Sequence, residues 1–205
     1  MSLEIWLTFA AASAALLAVP GPVVMLLFSY TLGHGRSVSW AAIPGVVLGD
    51  FTAMTLSLLG AGAVLSSSAT LFTVMKIGGA AYLIWLGIQI WCTPVKAIAV
   101  EAVSERRDRL AVFRQAFLVT ALNPKDIVFF VAFLPQFIDP ARPAMPQLIT
   151  IEVTFLVMVL ISTSLWIALS GRLRTCLKRP TTLKLVNRLG AGSLIGAGTF
   201  TALSR

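Results

Sequence analysis

Long apolar runs constrain this chain more than any other feature of its sequence. A helix needs ~20 mostly apolar residues to cross the hydrocarbon core of a bilayer. Six runs are long enough, with these approximate bounds: 5–32, 40–64, 71–92, 114–138, 147–170 and 185–203. Hydrophobic residues make up 58% of the chain and charged residues only 12%, less than soluble domains carry. Because backbone polar groups in lipid must be satisfied internally, the sequence predicts an all-α membrane protein with six transmembrane helices.

Basic residues are concentrated in alternate loops. Twelve of the 16 lysines and arginines lie in or near the loops that follow runs one, three and five: Arg36, Lys96, Arg106, Arg107, Arg109, Arg114, Arg172, Arg174, Lys178, Arg179, Lys184 and Arg188. Cytoplasmic loops carry such an excess, so both termini are predicted to lie outside the cytoplasm. The net charge of +8 therefore reflects topology and does not indicate a nucleic-acid partner.

The two cysteines give no sign of a disulfide framework or a metal site. Cys92 and Cys176 form no CxxC motif and have no histidine near them in the sequence. Both are predicted on the cytoplasmic, reducing side, where free thiols are expected. We expect neither a metal nor another cofactor.

The longest hydrophilic stretch, 93–113, divides the chain into two halves of three runs each. We interpret 1–92 and 114–205 as two repeats joined by a cytoplasmic linker. Because each half has an odd number of runs, the halves must be inserted in opposite orientations. Inverted repeats of this kind recur in secondary transporters, with the substrate site between the repeats near the bilayer midplane. This organisation predicts a transporter and no enzymatic activity.

Helix-breaking and acidic residues recur at equivalent positions in the two halves. Run one contains "AVPGPVV" and run four contains "ALNPKDI". Asp50 lies 28 residues after Pro22, and Glu152 lies 28 residues after Pro124. Each acid is the sole one in the second run of its half. The recurrence of residues that are costly in lipid supports the inverted-repeat interpretation.

The prolines predict that runs one and four are broken helices. Pro20 and Pro22 remove two backbone donors, so one helix should end before Gly21. Gly21 suits the cap of a new half-helix and Pro22 its first position. In run four, Asn123 is a favourable N-cap and Pro124 a favourable first residue. The alternative is that the prolines only kink two spanning helices.

Each break would expose a helix N-terminus inside the membrane. Free N–H groups of Val23 and Val24, or of Lys125 and Asp126, could then bind a carboxylate. Asp126 falls at the third helical position, where an acid is favoured by the helix dipole. We therefore predict substrate contacts at both breaks, from Gly21, Pro22, Asn123, Pro124, Lys125 and Asp126.

Charged residues inside the runs are candidates for coupling to protons. A charge at bilayer depth costs at least ~2.5 kcal/mol, so it is usually functional or paired. Asp50 should face the bundle, because Gly45 and Gly49 form a small-residue face beside it. It could carry a proton or act as a structural partner of Lys125. Glu152 is the second candidate for proton coupling, although it lies nearer the end of its run, where it could simply be solvated.

Three further patterns concern contacts between side chains. Adjacent residues on a helix point apart, so Lys125 and Asp126 are not expected to pair closely. Phe129, Phe130 and Phe133 belong to an aromatic stripe that is more typical of packing or lipid contact than of a binding site. Gly192 and Gly196 form a second GxxxG pattern, which predicts packing within the chain or, alternatively, a homodimer seam.

With these residues in place, the sequence resembles the LysE/RhtB family of bacterial amino-acid exporters. The likeness covers most of the chain and is carried by four stretches: "PGP" at 20–22, "GVVLGD" at 45–50, "GAAYLIWLGIQIW" at 79–91 and "NPKDIVFFVAFLPQF" at 123–137. It implies a multi-pass inner-membrane exporter of amino acids or close derivatives, driven by proton antiport. The family pattern usually reads NPKA, so Asp126 is an additional acid that could favour an amino-bearing substrate.

Several functional alternatives stay open on the sequence. Threonine, homoserine, homoserine lactone, lysine and leucine-like molecules are all candidate substrates under the resemblance. A cation exporter would need convergent acids, and Asp50, Asp126 and Glu152 are available. An intramembrane redox protein would need cysteines within the spans, whereas Cys92 and Cys176 lie at span ends. A non-transporting scaffold would have no need of buried charges at two helix breaks.

Overall fold

The computed structural model describes residues 1–67, 69–92, 108–139, 142–177 and 180–203. These residues are predominantly helical, and no β-strand occurs among them. In chain order the helices are α1 (Leu3–Ala18), α2 (Pro22–His34), α3 (Arg36–Ser39), α4 (Ala42–Ser67), α5 (Ala69–Cys92), α6 (Arg109–Ala121), α7 (Pro124–Phe133), α8 (Ala144–Leu177) and α9 (Pro180–Leu203). A 3-10 turn, Leu134–Phe137, follows α7 directly. The prediction of an all-α fold is confirmed for this part of the chain.

Two stretches of the described chain are long and apolar enough to cross a bilayer on their own. They are Arg36–Gly60, with 25 residues, and Ala144–Ser170, with 27 residues. Leu3–Ala18 and Pro22–Thr31 together qualify as a third span if the pair, which is bent by 51°, is counted as one. Each of the six predicted runs coincides with a helix or with a broken pair of helices. Length and composition support up to three of them as spans.

The predicted linker, 93–113, lies mostly outside the described residues, as does the side chain of Cys176. α6 begins at Arg109, after the cap residue Asp108, so the last residues of the predicted linker are helical. The division of the chain into two repeats stays a prediction.

Both predicted helix breaks are confirmed. α1 ends at Ala18, and the chain is extended at Val19 before α2 begins at Pro22 with Gly21 as its cap. A proline cannot donate the backbone hydrogen bond that would continue α1, which explains the position of this break. The second break separates α6 from α7, where Asn123 is the N-cap and Pro124 opens the new helix.

Glycines on α4 allow it to approach α6 at backbone distance, as the sequence predicts. A Cβ added at Gly49 would lie 2.8 Å from the Cβ of Thr120 and 2.9 Å from the carbonyl oxygen of Phe117. Gly45 likewise faces the backbone of α6. This contact brings Asp50, the next residue on α4, close to the break between α6 and α7.

The prediction that Gly192 and Gly196 pack within the chain is wrong. Both are exposed, and a Cβ added at either would meet no described heavy atom within 4 Å. Gly87 and Gly198 make the close contacts between α5 and α9, since a Cβ on either would lie 2.8 Å from a carbonyl oxygen of the other helix. Which glycines of α9 face α5 depends on the rotation of α9 about its own axis.

The close contact between α4 and α6 leads to a first testable prediction. Gly49→Val places side-chain atoms against the backbone of α6, which cannot move aside, and overpacking of this kind costs ~1–3 kcal/mol. We expect a lower yield of monodisperse protein in detergent and a lower midpoint of thermal unfolding. Gly60→Val is the matched control on the same helix, because Gly60 is exposed and a Cβ added there would meet no heavy atom of the described residues within 4 Å. Equal behaviour of the two variants would contradict the assigned contact.

Phenylalanine rings hold α7 in the interior of the bundle. Phe129, Phe130, Phe133 and Phe137 are at most 4% exposed. The rings of Phe129 and Phe133 are 4.7 Å apart, and Phe130 meets Phe155 of α8 edge to face at 5.0 Å. The aromatic stripe is therefore a packing surface. It fixes the first turn of α7 deep in the protein.

Candidate functional site

The end of α1 leaves a backbone carbonyl without its usual helical donor. In a continuous helix the carbonyl of Leu16 would accept a hydrogen bond from residue 20, but Pro20 has no N–H group. The ammonium of Lys125 replaces this donor, with its Nζ 3.2 Å from the Leu16 carbonyl oxygen. Leu16 is fully buried, so the carbonyl would otherwise lack a partner in apolar surroundings. Lys125 thus connects the second half of the chain to the break in the first half.

α2 begins beside the same lysine. Its cap, Gly21, has no side chain that could accept hydrogen bonds from the first-turn amides. A Cβ placed on Gly21 would lie 3.4 Å from the Nζ of Lys125, so the ammonium is next to the cap. Val23 and Val24 lie in the first turn of α2 and line the cavity described below. The helix N-terminus and the lysine therefore bring partial and full positive charge to one place.

The N-terminus of α7 is satisfied within the chain, contrary to the prediction of free N–H groups there. The side-chain oxygen of Asn123 accepts from the backbone N–H of Lys125 at 3.2 Å, and its carbonyl oxygen accepts from the N–H of Asp126 at 3.1 Å. Nδ2 of Asn123 donates to Oδ2 of Asp126 at 2.6 Å. Asn123 is a strong N-cap, and it occupies the very amides that an anion would need.

Asp50 has an unpartnered oxygen deep in the protein. The residue is 3% exposed, and its Oδ1 has no hydrogen-bond partner among the described residues. Its carboxylate is attracted by Lys125 and repelled by Asp126. Buried carboxylate oxygens without a donor are costly, so this atom is an acceptor available to a proton or to a ligand.

Lys125 and Asp126 approach each other despite being adjacent in sequence. The Nζ of Lys125 lies 3.9 Å from Oδ1 of Asp126, whereas the sequence argument expected the two to point apart. The lysine ammonium reaches the Leu16 carbonyl at the break in α1, and both Lys125 and Asp126 line the same cavity. With Asp50, the cluster has two acids and one base. One proton or one cationic ligand group would make it neutral.

These residues and several apolar side chains line a small cavity of about 40 Å³, the polar cavity. Asp50, Gly21, Asn123, Lys125 and Asp126 all line it, so five of the eight predicted site residues are brought together. The other three, Pro22, Pro124 and Glu152, are not among the lining residues. A cavity of this size has room for a few water molecules, and an amino acid requires it to widen.

α8 supplies four lining residues that the sequence analysis missed. They are Val159, Ser162, Thr163 and Trp166. Thr163 is 4% exposed, and Trp166 packs edge to face against Phe28 of α2, with the ring centroids 5.8 Å apart. The signal available in the sequence was the hydroxyl cluster "STS" in the middle of an apolar run. Such clusters usually bond their own helix, as Ser164 does with the carbonyl of Leu160.

Glu152 lies in a different contact. Its Oε1 accepts a hydrogen bond from Oγ1 of Thr55 at 2.6 Å, which connects α8 to α4. Two residues further along α8, Thr154 accepts a hydrogen bond from the indole N–H of Trp6 at 3.0 Å. Within the described residues, no three His, Cys, Asp or Glu side chains are grouped in a way that could hold a metal ion. Asp50 and Asp126 therefore lie at the cavity, whereas Glu152 lies at a separate contact between α4 and α8.

A further hydrogen bond connects α2 and α6 on the other side of the cavity. The hydroxyl of Tyr30 donates to Oε1 of Gln115 at 2.6 Å. Tyr30 is eight residues beyond Pro22 and Gln115 eight residues before Asn123, or about 12 Å along each helix. Hydrogen bonds between helices therefore lie on both sides of the cavity.

Comparison with known proteins gives consistent matches over the chain. The family model described as LysE type translocator matches residues 14–205. An uncharacterized membrane protein of Vibrio cholerae is 33% identical over 205 residues, covering all of both chains. The homoserine/homoserine lactone efflux proteins of Salmonella typhi and Salmonella typhimurium are 32% and 31% identical, covering all of this chain and 99% of their own. No solved structure matches significantly.

Proposed function

The chain belongs to the LysE translocator family, and from this premise we propose that it exports amino acids or close derivatives by proton antiport. Homoserine and homoserine lactone are the first candidate substrates, because efflux of these compounds names the Salmonella relatives. Threonine and lysine are further candidates. We place the protein in the bacterial inner membrane, with both termini periplasmic.

We assign the substrate carboxylate to the N-terminus of α2. Gly21 leaves the amides of this turn without a side-chain acceptor, and the Lys125 ammonium lies beside the cap. Helix N-termini bind carboxylates through such amides and through the helix dipole. The equivalent end of α7 is occupied by Asn123, so the two breaks have different tasks. The first binds the anion, and the second positions Lys125 and Asp126.

The amine of the substrate, or a proton, would bind at Asp50. Its unpartnered Oδ1 is the available acceptor, and Asp126 adds a second negative charge nearby. Two acids and one lysine leave the cluster with one uncompensated negative charge when all three are ionised. A substrate ammonium or a proton can neutralise it, but binding of both is not needed. Competition between the two for Asp50 provides the coupling that antiport requires.

Alternating access would proceed by opening one end of the bundle at a time. The cavity of about 40 Å³ represents the occluded, empty form. Opening toward the basic loops would separate Tyr30 from Gln115, and opening toward the opposite side would separate Thr55 from Glu152. We propose that the two halves, 1–92 and 114–205, are inverted three-helix repeats that rock around the site.

A homodimer is also proposed. Gly192 and Gly196 present an exposed small-residue face on α9 that no described part of the chain covers. Small-residue faces allow close approach of helices in membranes. The oligomeric state in lipid nanodiscs, compared with that of a Gly192→Leu variant, tests this proposal.

A single observation carries the functional proposal, namely one buried cavity shared by a helix N-terminus, a lysine and an unpaired carboxylate oxygen. The test is efflux from cells that express the protein and are preloaded with labelled homoserine, homoserine lactone, threonine or lysine. We expect faster efflux of at least one compound, and we expect a protonophore to abolish the difference. Unchanged efflux of the whole panel, with the protein present in the membrane, would contradict the proposal.

The position of Glu152 leads to a second testable prediction. Glu152→Gln keeps an oxygen that can accept from Thr55 and removes only the charge. Because a neutral hydrogen bond is worth ~1 kcal/mol, we expect efflux to fall by less than about tenfold and to stay sensitive to the protonophore. Loss of activity to background would restore Glu152 to the proton-coupling role that its sequence position suggested.

A further inference from the structure

An apolar groove lies on the outer surface of the bundle, next to the polar cavity. Its volume is about 380 Å³, and it runs between the last turns of α1 and residues 158–169 of α8. Ile161 and Leu165, which line it, are 54% and 52% exposed. The groove therefore opens toward the lipid phase of the membrane.

The groove and the polar cavity have a common wall. Leu17, Ser162 and Trp166 line both of them, so the two spaces are separated only by the thickness of these side chains. Leu17 and Ala18 belong to the last turn of α1, just before the break. Trp166 is only partly buried, and it packs edge to face against Phe28 of α2 and against the edge of the buried core. A change of side-chain rotamer at Leu17 or Trp166 would join the cavity to the groove.

The two spaces differ in what they can bind. The cavity offers the N-terminus of α2, the Lys125 ammonium and the Asp50 carboxylate, which suit a free amino-acid head group. The groove is lined almost entirely by alanine, leucine, isoleucine, methionine and tryptophan side chains, with Ser162 at the junction. A molecule that spans both would have a charged head and an apolar chain.

Resting on the proposed function, we propose that the groove is the side-chain subsite of the exporter. It takes the apolar chain of an amino acid whose free amine and carboxylate occupy the polar cavity. The favoured class is an amino acid with a long unbranched alkyl side chain, or an ester that carries an acyl chain on the side-chain oxygen. Each methylene moved from water into the groove should strengthen binding about fourfold, following the transfer free energy of a CH₂ group.

The test uses purified protein in proteoliposomes and exchange of labelled homoserine. Amino acids with straight alkyl side chains of two, four and six carbons are added as competitors. For the wild type, we expect the concentration for half inhibition to fall about fourfold per added methylene. Leu165→Trp fills the groove and changes no residue of the cavity lining, so the dependence of inhibition on chain length should disappear. Leu160→Trp is the matched control, because Leu160 is exposed on the same helix and lines neither space.

Two results would overturn the subsite. One is a wild type that shows no dependence on chain length. The other is the same dependence in Leu165→Trp as in Leu160→Trp, which would mean that the competitors act through the lipid and that the groove holds lipid chains only. Absence of homoserine exchange in the wild type would instead refute the proposed function. In that case, the binding of the same alkyl series to the wild type, Leu165→Trp and Leu160→Trp is measured by calorimetry in detergent. The dependence of affinity on chain length then tests the groove in the same way.

Discussion

Asp50→Asn should reduce proton-driven efflux to the level of cells that lack the protein. Asparagine matches the shape of aspartate but has no charge, so the cluster becomes neutral with Lys125 and Asp126 alone. Neither a proton nor a substrate ammonium is then needed to balance it, and the competition that couples them is lost. The loss is measured in proteoliposomes that contain the purified variant, as efflux of labelled homoserine driven by an inward proton gradient.

Two controls make the Asp50 result specific. The variant should remain monodisperse in detergent, because removing a buried charge with an unpartnered oxygen does not weaken the packing around it. Glu152→Gln removes an acid from the other half of the chain, and its efflux should stay within about tenfold of the wild type. Exchange of homoserine for homoserine, without net proton movement, should also be weak in Asp50→Asn if the carboxylate holds the amine. Full proton-driven efflux in this variant would remove Asp50 from the mechanism.

Lys125→Met should weaken substrate binding and destabilise the protein together. The ammonium is the donor to the Leu16 carbonyl oxygen and lies beside the end of α2 to which we assign the substrate carboxylate. Hydrogen bonds to charged groups are worth ~1.5–3 kcal/mol, so the apparent KM for efflux should rise roughly 10- to 100-fold. The buried carbonyl loses its partner as well, which should cost ~1–3 kcal/mol of stability.

A second substitution separates these two effects of Lys125→Met. Pro20→Ala returns an N–H group four residues after Leu16, where a helix would supply the missing donor. The double variant should recover thermal stability, because the carbonyl is satisfied again, and it should still bind substrate poorly. Recovery of both properties would mean that Lys125 has only a structural role. Recovery of neither would mean that the contact with Leu16 does not limit stability.

The candidate site was predictable from sequence to the extent that it depends on local backbone chemistry. Proline without an N–H group, asparagine at a cap and glycine before a proline determine where the helices end and begin. These preferences act within four residues of the chain, so Gly21 and Asn123 were correctly assigned as caps. The small-residue face of Gly45 and Gly49 was also predictable, because backbone contact requires the absence of a side chain.

The direction in which side chains on separate helices point was not predictable in the same way. Asp50 and Glu152 lie at equal distances from Pro22 and Pro124, yet only Asp50 lines the cavity. Successive residues on a helix are rotated by about 100°, so the direction of a side chain depends on how the whole helix is turned in the bundle. A connecting loop does not transmit that rotation, so equal spacing along the chain does not give equal facing.

The sequence alone therefore determined that the helices suit a lipid environment, where they lie along the chain and where the two breaks occur. Length, hydropathy and missing backbone donors act locally, so no tertiary contact is needed to read them. The tertiary structure decided which groups meet. It brought Lys125 to a carbonyl 109 residues away and added Ser162, Thr163 and Trp166 to the cavity. Each of these contacts depends on the distance and rotation between helices, which packing against glycines and phenylalanines sets.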